Sequence, residues 1–183
     1  MTAGVALSLR HAAVTAPRLT FADAVREHQD EVYGVALRIT GDRDAALDVA
    51  SATFLKAYRA FHRYDPSRPI RYWLLRIATN EAISHARRAT RELRRRTDMD
   101  SANDLAARDE APDEATVARE ERGRIRSAVA SLPDLYRVVI VLRYFNELSV
   151  AEIAAITGRP ASTVAVQLLR GRALLRHTLE AVS

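Results

Sequence analysis

An all-α chain of two small helical bodies joined by a flexible acidic linker is what this sequence predicts. Three observations carry the prediction. Apolar side chains recur at helical spacings along most of the chain, alternating apolar and polar runs are absent, and charge is divided into three blocks. Residues 1–96 hold 17 basic and 10 acidic groups, residues 97–121 hold 2 and 9, and residues 122–183 hold 9 and 4, for net charges of +7, −7 and +5. Two basic bodies on an acidic tether suit a polyanion gripped at two places, because nucleic-acid binding gains mainly from phosphate neutralisation. The expected boundaries are a tail at 1–18, a first body at 19–96, a linker at 97–115 and a second body at 116–183.

The first helix starts at Phe21, with Phe21, Val25, Val32, Val35, Ala36 and Ile39 on one face, and stops at Thr40-Gly41-Asp42. A second runs from about Asp42, a good N-cap, to His62, with Leu47, Ala50, Phe54, Leu55, Tyr58 and Phe61 expected on its buried side. Arg63 to Pro69 must be a loop, since its two prolines remove backbone donors and restrict their predecessors. A third helix begins near Ile70, buries Ile70, Trp73, Leu74 and Ile77, and continues into the Arg-rich stretch Arg87 to Arg96.

Residues 97–115 carry Asp98, Asp100, Asp104, Asp109, Glu110, Asp113 and Glu114 with few large apolar groups, too little to offset ordering entropy. Four further helices follow, at about Thr116–Ala130, Pro133–Phe145, Ser149–Thr157 and Pro160–Leu179. Ser149-Val150-Ala151-Glu152 reads as a capping box, and Pro160 stands in the first turn of its helix, where a missing N–H costs little.

Several function classes are excluded or disfavoured. The chain has no cysteine, so disulfides, thiolate metal sites and Cys nucleophiles are unavailable. His11, His28, His62, His85 and His177 are scattered, with no pair at ligand spacing, so no metal and no cofactor is expected. No apolar run approaches the roughly 20 residues that cross a bilayer, and Arg10, His11 and Arg18 interrupt any signal-peptide core; membrane insertion is not expected and the location reads as cytoplasmic. Catalysis is not expected either: Asp42, Asp44 and Asp48 could be imagined as metal ligands, but acids at a helix start are favoured by its dipole.

A short capped helix ending at Thr157-Gly158, a tight turn and a longer helix with Arg in its second half have the layout of a helix-turn-helix unit. In the last helix Val164, Leu168, Leu175 and Leu179 form a packing side, and Ser162, Thr163, Val166, Gln167 and Arg170 are expected to project outward. Such groups reach phosphates and base edges; Gln can bond adenine bidentately, and an apolar side chain can meet a thymine methyl. Arg172 and Arg176, further along, suit phosphates.

The segments FADAVREHQDEVYGVALRITGDRDAALDVASATFLKAYRAF, RPIRYWLLRIATNEAISHARR and LPDLYRVVIVLRYFNELSVAEIAAITGRPASTVAVQLLRGRALLR, in that order, resemble the extracytoplasmic-function class of bacterial RNA polymerase sigma factors. The resemblance covers roughly residues 19–90 and 115–180. It implies a region 2 helical bundle that holds the polymerase core at its clamp and melts the minus-ten element, and a region 4 helix-turn-helix that reads the minus-thirty-five element. It also implies contact with the polymerase flap and a dedicated anti-sigma partner.

Residue by residue, the resemblance places Asp48, Val49, Thr53, Phe54 and Leu55 on the polymerase-binding helix, with Asp48 and Thr53 expected as its exposed members. It places the loop from Tyr64 to Pro69, including Arg68, at an unstacked base, and Asn80, Ser84, Arg87 and Arg88 beside the melted strand. Unstacking a base costs a few kcal/mol, which stacking on an aromatic can offset. Trp73 has the spacing of a core residue, whereas Tyr64, in the loop, is the stacking candidate. For the upstream element the candidates are Ser162, Thr163, Val166, Gln167, Arg170 and Arg172.

Two motifs depart from the family pattern. Asp48-Val49-Ala50-Ser51-Ala52-Thr53-Phe54 lacks the Gln and Glu usual in the clamp-binding helix. Ser162-Thr163-Val164-Ala165-Val166-Gln167-Leu168 lacks the two basic groups usual in the recognition helix. The competing reading is a stand-alone helix-turn-helix repressor or activator, which leaves the first body without a role; an adaptor that binds polymerase but not DNA is the other.

Overall fold

The computed structural model describes residues 20–97 and 117–181, and they form seven α-helices and no strand. The tail at 1–18 and nearly all of the acidic linker lie outside the described residues. Helix α1 spans Phe21–Thr40, α2 Arg43–Ala60 and α3 Ile70–Thr97; α4 spans Val117–Ser131, α5 Asp134–Tyr144, α6 Val150–Thr157 and α7 Ala161–Glu180. Each boundary falls within a few residues of its sequence-based expectation.

Local chemistry explains the helix ends. At α1, Thr20 and Asp23 form a capping box, with the Asp23 amide donating to Thr20 Oγ1 and the Thr20 amide to Asp23 Oδ2, both at 3.2 Å. Gly41 ends α1 at φ +76°, a left-handed conformation suited to glycine. Asp42 caps α2 as expected, accepting from the Ala45 amide at 2.7 Å. The α6 capping box is also present, with the Ser149 amide donating to Glu152 Oε2 at 2.7 Å and the Glu152 amide to Ser149 Oγ at 3.2 Å.

The packed side of α2 is not the one its large apolar residues suggest. Leu47, Leu55 and Tyr58 are 56%, 50% and 65% exposed, while Ala45, Ala46, Val49, Thr53 and Ala57 are buried. Small side chains let α2 lie close against α1 and α3, and the bulky ones are turned outward. Ala50, Phe54 and Phe61 are partly buried, as expected, in a cluster with Ala24, Val32, Ile70 and Leu74. Trp73 joins this cluster, its ring 5.3 Å from Tyr64 and 6.4 Å from Phe61, in agreement with a packing role.

The two helical bodies pack against each other. One apolar cluster runs from Val35, Ile39 and Leu75 of the first body to Val138, Leu142, Ile153 and Ile156 of the second. Burying such a side chain contributes roughly 1.5–3 kcal/mol. Polar contacts cross the same seam. Arg137 Nη1 donates to the Ile39 carbonyl at 2.6 Å, and the Arg38 guanidinium lies 4.6 Å from the centre of the Phe145 ring. The Tyr72 hydroxyl donates to Glu152 Oε1, and Arg71 Nη2 donates to the Asn146 carbonyl at 2.9 Å.

Candidate nucleic-acid and polymerase interface

Along α3, Asn80, Ser84, the adjacent pair Arg87 and Arg88, and Arg91 recur about once per helical turn, and all five are exposed. Ser84 and the three arginines line an open groove of about 430 Å³ with Lys56 of α2 and Glu81. The Lys56 ammonium is bonded to Glu81, so the one carboxylate among the groove's described lining residues is already paired. Arg88 Nε and Arg91 Nε donate to the Ser84 and Arg87 carbonyls at 3.2 Å, which lays their guanidinium groups along the helix and leaves further donors for a ligand. Lys56 and Glu81 were missed from the sequence because 25 residues separate them and neither belongs to a local motif. Side chains of Arg94 and Arg96 lie outside those described.

The proline loop sits at one end of this body. Its Asp65 accepts from the Ser67 amide at 3.0 Å, and these bonds hold the Asp65 carboxyl below the usual carboxylate range. Tyr64 is half-buried rather than free: its ring is stacked on Phe61 at 5.9 Å and its hydroxyl donates to the Arg68 carbonyl. The Arg68 side chain is exposed, 3.9 Å from Asp65.

On α2 the polymerase-binding candidates divide. Asp48 and Leu55 are exposed, on an arc that also carries Leu47, Ser51 and Tyr58. Val49 is buried and Phe54 half-buried. Thr53, expected to be exposed, is fully buried, its hydroxyl donating to the Val49 carbonyl at 2.7 Å; a threonine can satisfy its own hydroxyl within the helix and so be packed. Leu47 and Tyr58 were assigned to the core from their hydrophobicity, which is why the sequence reading did not place them here.

In the second body Ser162, Thr163, Val166 and Arg170 of α7 are exposed, and with Leu135 and Tyr136 of α5 they line a shallow groove of about 320 Å³. Gln167 also lines it but does not project: it is only 7% exposed, and its Oε1 accepts from Arg159 Nη1 at 3.0 Å. The expectation of a freely outward Gln167 is thus corrected, because a guanidinium across the turn captures the amide. Arg172 is exposed but lies on the other side of α7 from Arg170, outside this groove. The helix-turn-helix geometry itself is as expected, with α6 ending at Gly158 (φ +68°) and Val164, Leu168 and Gly171 turned inward.

A family model described as Sigma-70 region 2 matches residues 24–92, and one described as Sigma-70, region 4 matches residues 122–175. The ECF RNA polymerase sigma factor SigW of Bacillus subtilis is 34% identical over 165 residues, 87% of this chain and 88% of that protein. Among solved structures, CnrH in complex with the cytosolic domain of CnrY superposes with a TM-score of 0.66 at 28% identity, covering 89% of each chain. The sigma factor RpoE in complex with the anti-sigma factor NepR from Bartonella quintana gives 0.69 at 21% identity, covering 87% of this chain and 96% of that one, a likeness of fold. With both of its helical bodies matched, this chain belongs to the extracytoplasmic-function family of sigma factors, transcription regulators that direct RNA polymerase to promoters and promote initiation.

Proposed function

We propose that the first body binds the polymerase clamp through the exposed arc of α2 and engages the melted minus-ten strand along the groove of α3. The second body reads the minus-thirty-five element through Ser162, Thr163, Val166 and Arg170 and meets the polymerase flap. The observation that carries this reading is the separation of chemistries on the first body. An apolar stripe of Leu47, Leu55 and Tyr58 flanked by Asp48 suits a protein partner, whereas a groove with four cations and one paired carboxylate suits phosphates.

Val49, Thr53 and Phe54 support the binding helix from beneath rather than touching polymerase. Tyr64 and Trp73 form an aromatic floor to the loop at 64–69, and Arg68 extends from its rim. The chain carries no chemistry of its own in this reading: Asp42 is consumed as a cap and Asp44 sits in the first turn of α2. Among the described residues no helix is long and apolar enough to cross a membrane; a cytoplasmic site of action is supported by the sigma factor family to which the chain belongs. An anti-sigma factor is a further expected partner, since relatives of the same fold have been solved bound to NepR and to the cytosolic domain of CnrY. A stand-alone repressor is disfavoured by the region 2 match.

Run-off transcription with purified core polymerase on a library of random upstream sequences tests this reading. Initiation that depends on the protein, with two enriched blocks at a fixed spacing, is the expected result. Binding of a single duplex motif with no initiation would replace it with the repressor reading.

A further inference from the structure

Arg159 lies in the turn between α6 and α7, directly before Pro160, and has no role in the assignments above. Its Nη1 donates to Gln167 Oε1 at 3.0 Å across eight residues. A guanidinium has donors and no acceptor, so the amide atom facing it must be the oxygen. Gln167 is buried apart from a small area, and it borders the groove lined by Thr163, Val166 and Arg170. With its oxygen turned to Arg159, the carboxamide has its NH2 group left to offer.

This changes what Gln167 can read. A free glutamine pairs with adenine by accepting from N6 and donating to N7 at once. A glutamine whose oxygen is held toward a cation in the turn loses the two-point contact with adenine, and the donors of its NH2 group suit guanine N7 and O6 or thymine O4 in the major groove. They meet the amino donors of adenine N6 and cytosine N4 unfavourably. We infer that Arg159 is a positioning residue for base readout: it orients the Gln167 carboxamide so that one base pair of the upstream element is selected for a keto acceptor, guanine or thymine, over adenine. The inference rests on the proposed reading that α7 enters the major groove.

The test is run-off transcription by core polymerase and the full chain on the randomised upstream library, comparing the wild type with Arg159→Ala, Arg159→Lys, Gln167→Ala and Gln167→Glu. Wild type should favour guanine or thymine over adenine at one upstream position by about five- to tenfold, the discrimination available to one or two base-edge hydrogen bonds. Gln167→Ala should abolish the preference at that position, and Gln167→Glu, an acceptor only, should move it to the amino bases, cytosine or adenine. Arg159→Ala should let adenine rise to within about twofold of the keto bases there, with other positions unchanged, while Arg159→Lys, also a pure donor, should keep the wild-type order. A preference that Gln167→Ala removes and Arg159→Ala leaves intact would overturn the inference alone. So would an equal loss on all templates with Arg159→Ala. Identical upstream selection by wild type and Gln167→Ala would overturn the reading of α7 at this residue and the inference with it.

Discussion

Arg71 grips Glu31 with two nitrogens, Nε at 3.0 Å from both carboxylate oxygens and Nη2 at 2.6 Å from Oε1. The Asn146 side-chain amide, from the other helical body, donates to the same Oε1 at 2.9 Å. Burial alone would raise the Glu31 pKa, but the bonds from Arg71 and Asn146 outweigh it and hold the carboxyl below its ordinary value. Glu31→Ala removes the acceptor common to both bodies. It should cost roughly 1–3 kcal/mol of stability, the range for losing a hydrogen bond to a charged group and leaving partners unmatched. The radius of gyration from small-angle X-ray scattering should increase as the bodies part more often, and unfolding in urea gives the stability.

Glu152 gives a pH dependence with a definite sign. Hydrogen bonds from Ser149, and then from Tyr72, lower its pKa from 4.5 to about 2. A carboxyl with a depressed folded pKa adds stability that is present above its unfolded value and lost as pH falls through the folded one. The destabilisation caused by Glu152→Gln should therefore be constant from neutral pH to about 5, shrink between about 4.5 and 2, and vanish below. Thermal melts of both proteins across that range measure it.

Gly171 allows α7 to lie against α5. A Cβ built there would stand 2.9 Å from Ile140 Cγ1 and 3.2 Å from its Cδ1, and Ile140 is itself buried. Gly171→Ala should cost about 1–3 kcal/mol by overpacking. Gly123 of α4 has nothing within 4 Å of such a Cβ, so Gly123→Ala should instead stabilise by roughly 0.5–1 kcal/mol through helix propensity. Urea midpoints at unchanged slope separate the two signs.

Leu55→Glu should weaken binding to core polymerase by about tenfold or more while changing stability by no more than about 0.5 kcal/mol, since Leu55 is half exposed and makes no part of the core. Fluorescence anisotropy with labelled protein reads the first quantity and a thermal melt the second. Thr53→Val should behave the opposite way, altering stability through the lost Val49 bond with little effect on polymerase affinity once folded.

Arg88→Ala should lower the dependence of promoter-complex affinity on salt, reducing the slope of log affinity against log salt by about 1 and weakening all promoter sequences alike. Filter binding of polymerase complexes at several salt concentrations checks it.

Helix positions were legible in this sequence because their punctuation is chemical: Asp42, the Ser149–Glu152 pair, the two loop prolines and the glycines at 41 and 158 all act within a turn of themselves. Facing was less legible. On α2, size and hydrophobicity pointed to Leu47, Leu55 and Tyr58 as core, whereas close helix packing selects alanines, and no local signal distinguishes an apolar residue kept for a partner from one kept for the interior. The candidate groove on α3 was readable from its arginine spacing, but its Lys56–Glu81 floor depends on tertiary contact. Gln167 illustrates the same limit, since its outward direction follows from periodicity and its capture by Arg159 follows only from the fold of the turn.

Three charged side chains of the seam keep a companion within their own body. Glu31 has Arg71, Glu152 has Ser149, and Arg137 also donates to the Leu132 and Ala130 carbonyls. Parting the bodies therefore strands none of these charges, and what is lost is chiefly contact between apolar surfaces. Closure should then follow the thermodynamics of apolar hydration: it carries a negative heat-capacity change, loosens on cooling, tightens in sulfate, and responds only weakly to ionic strength.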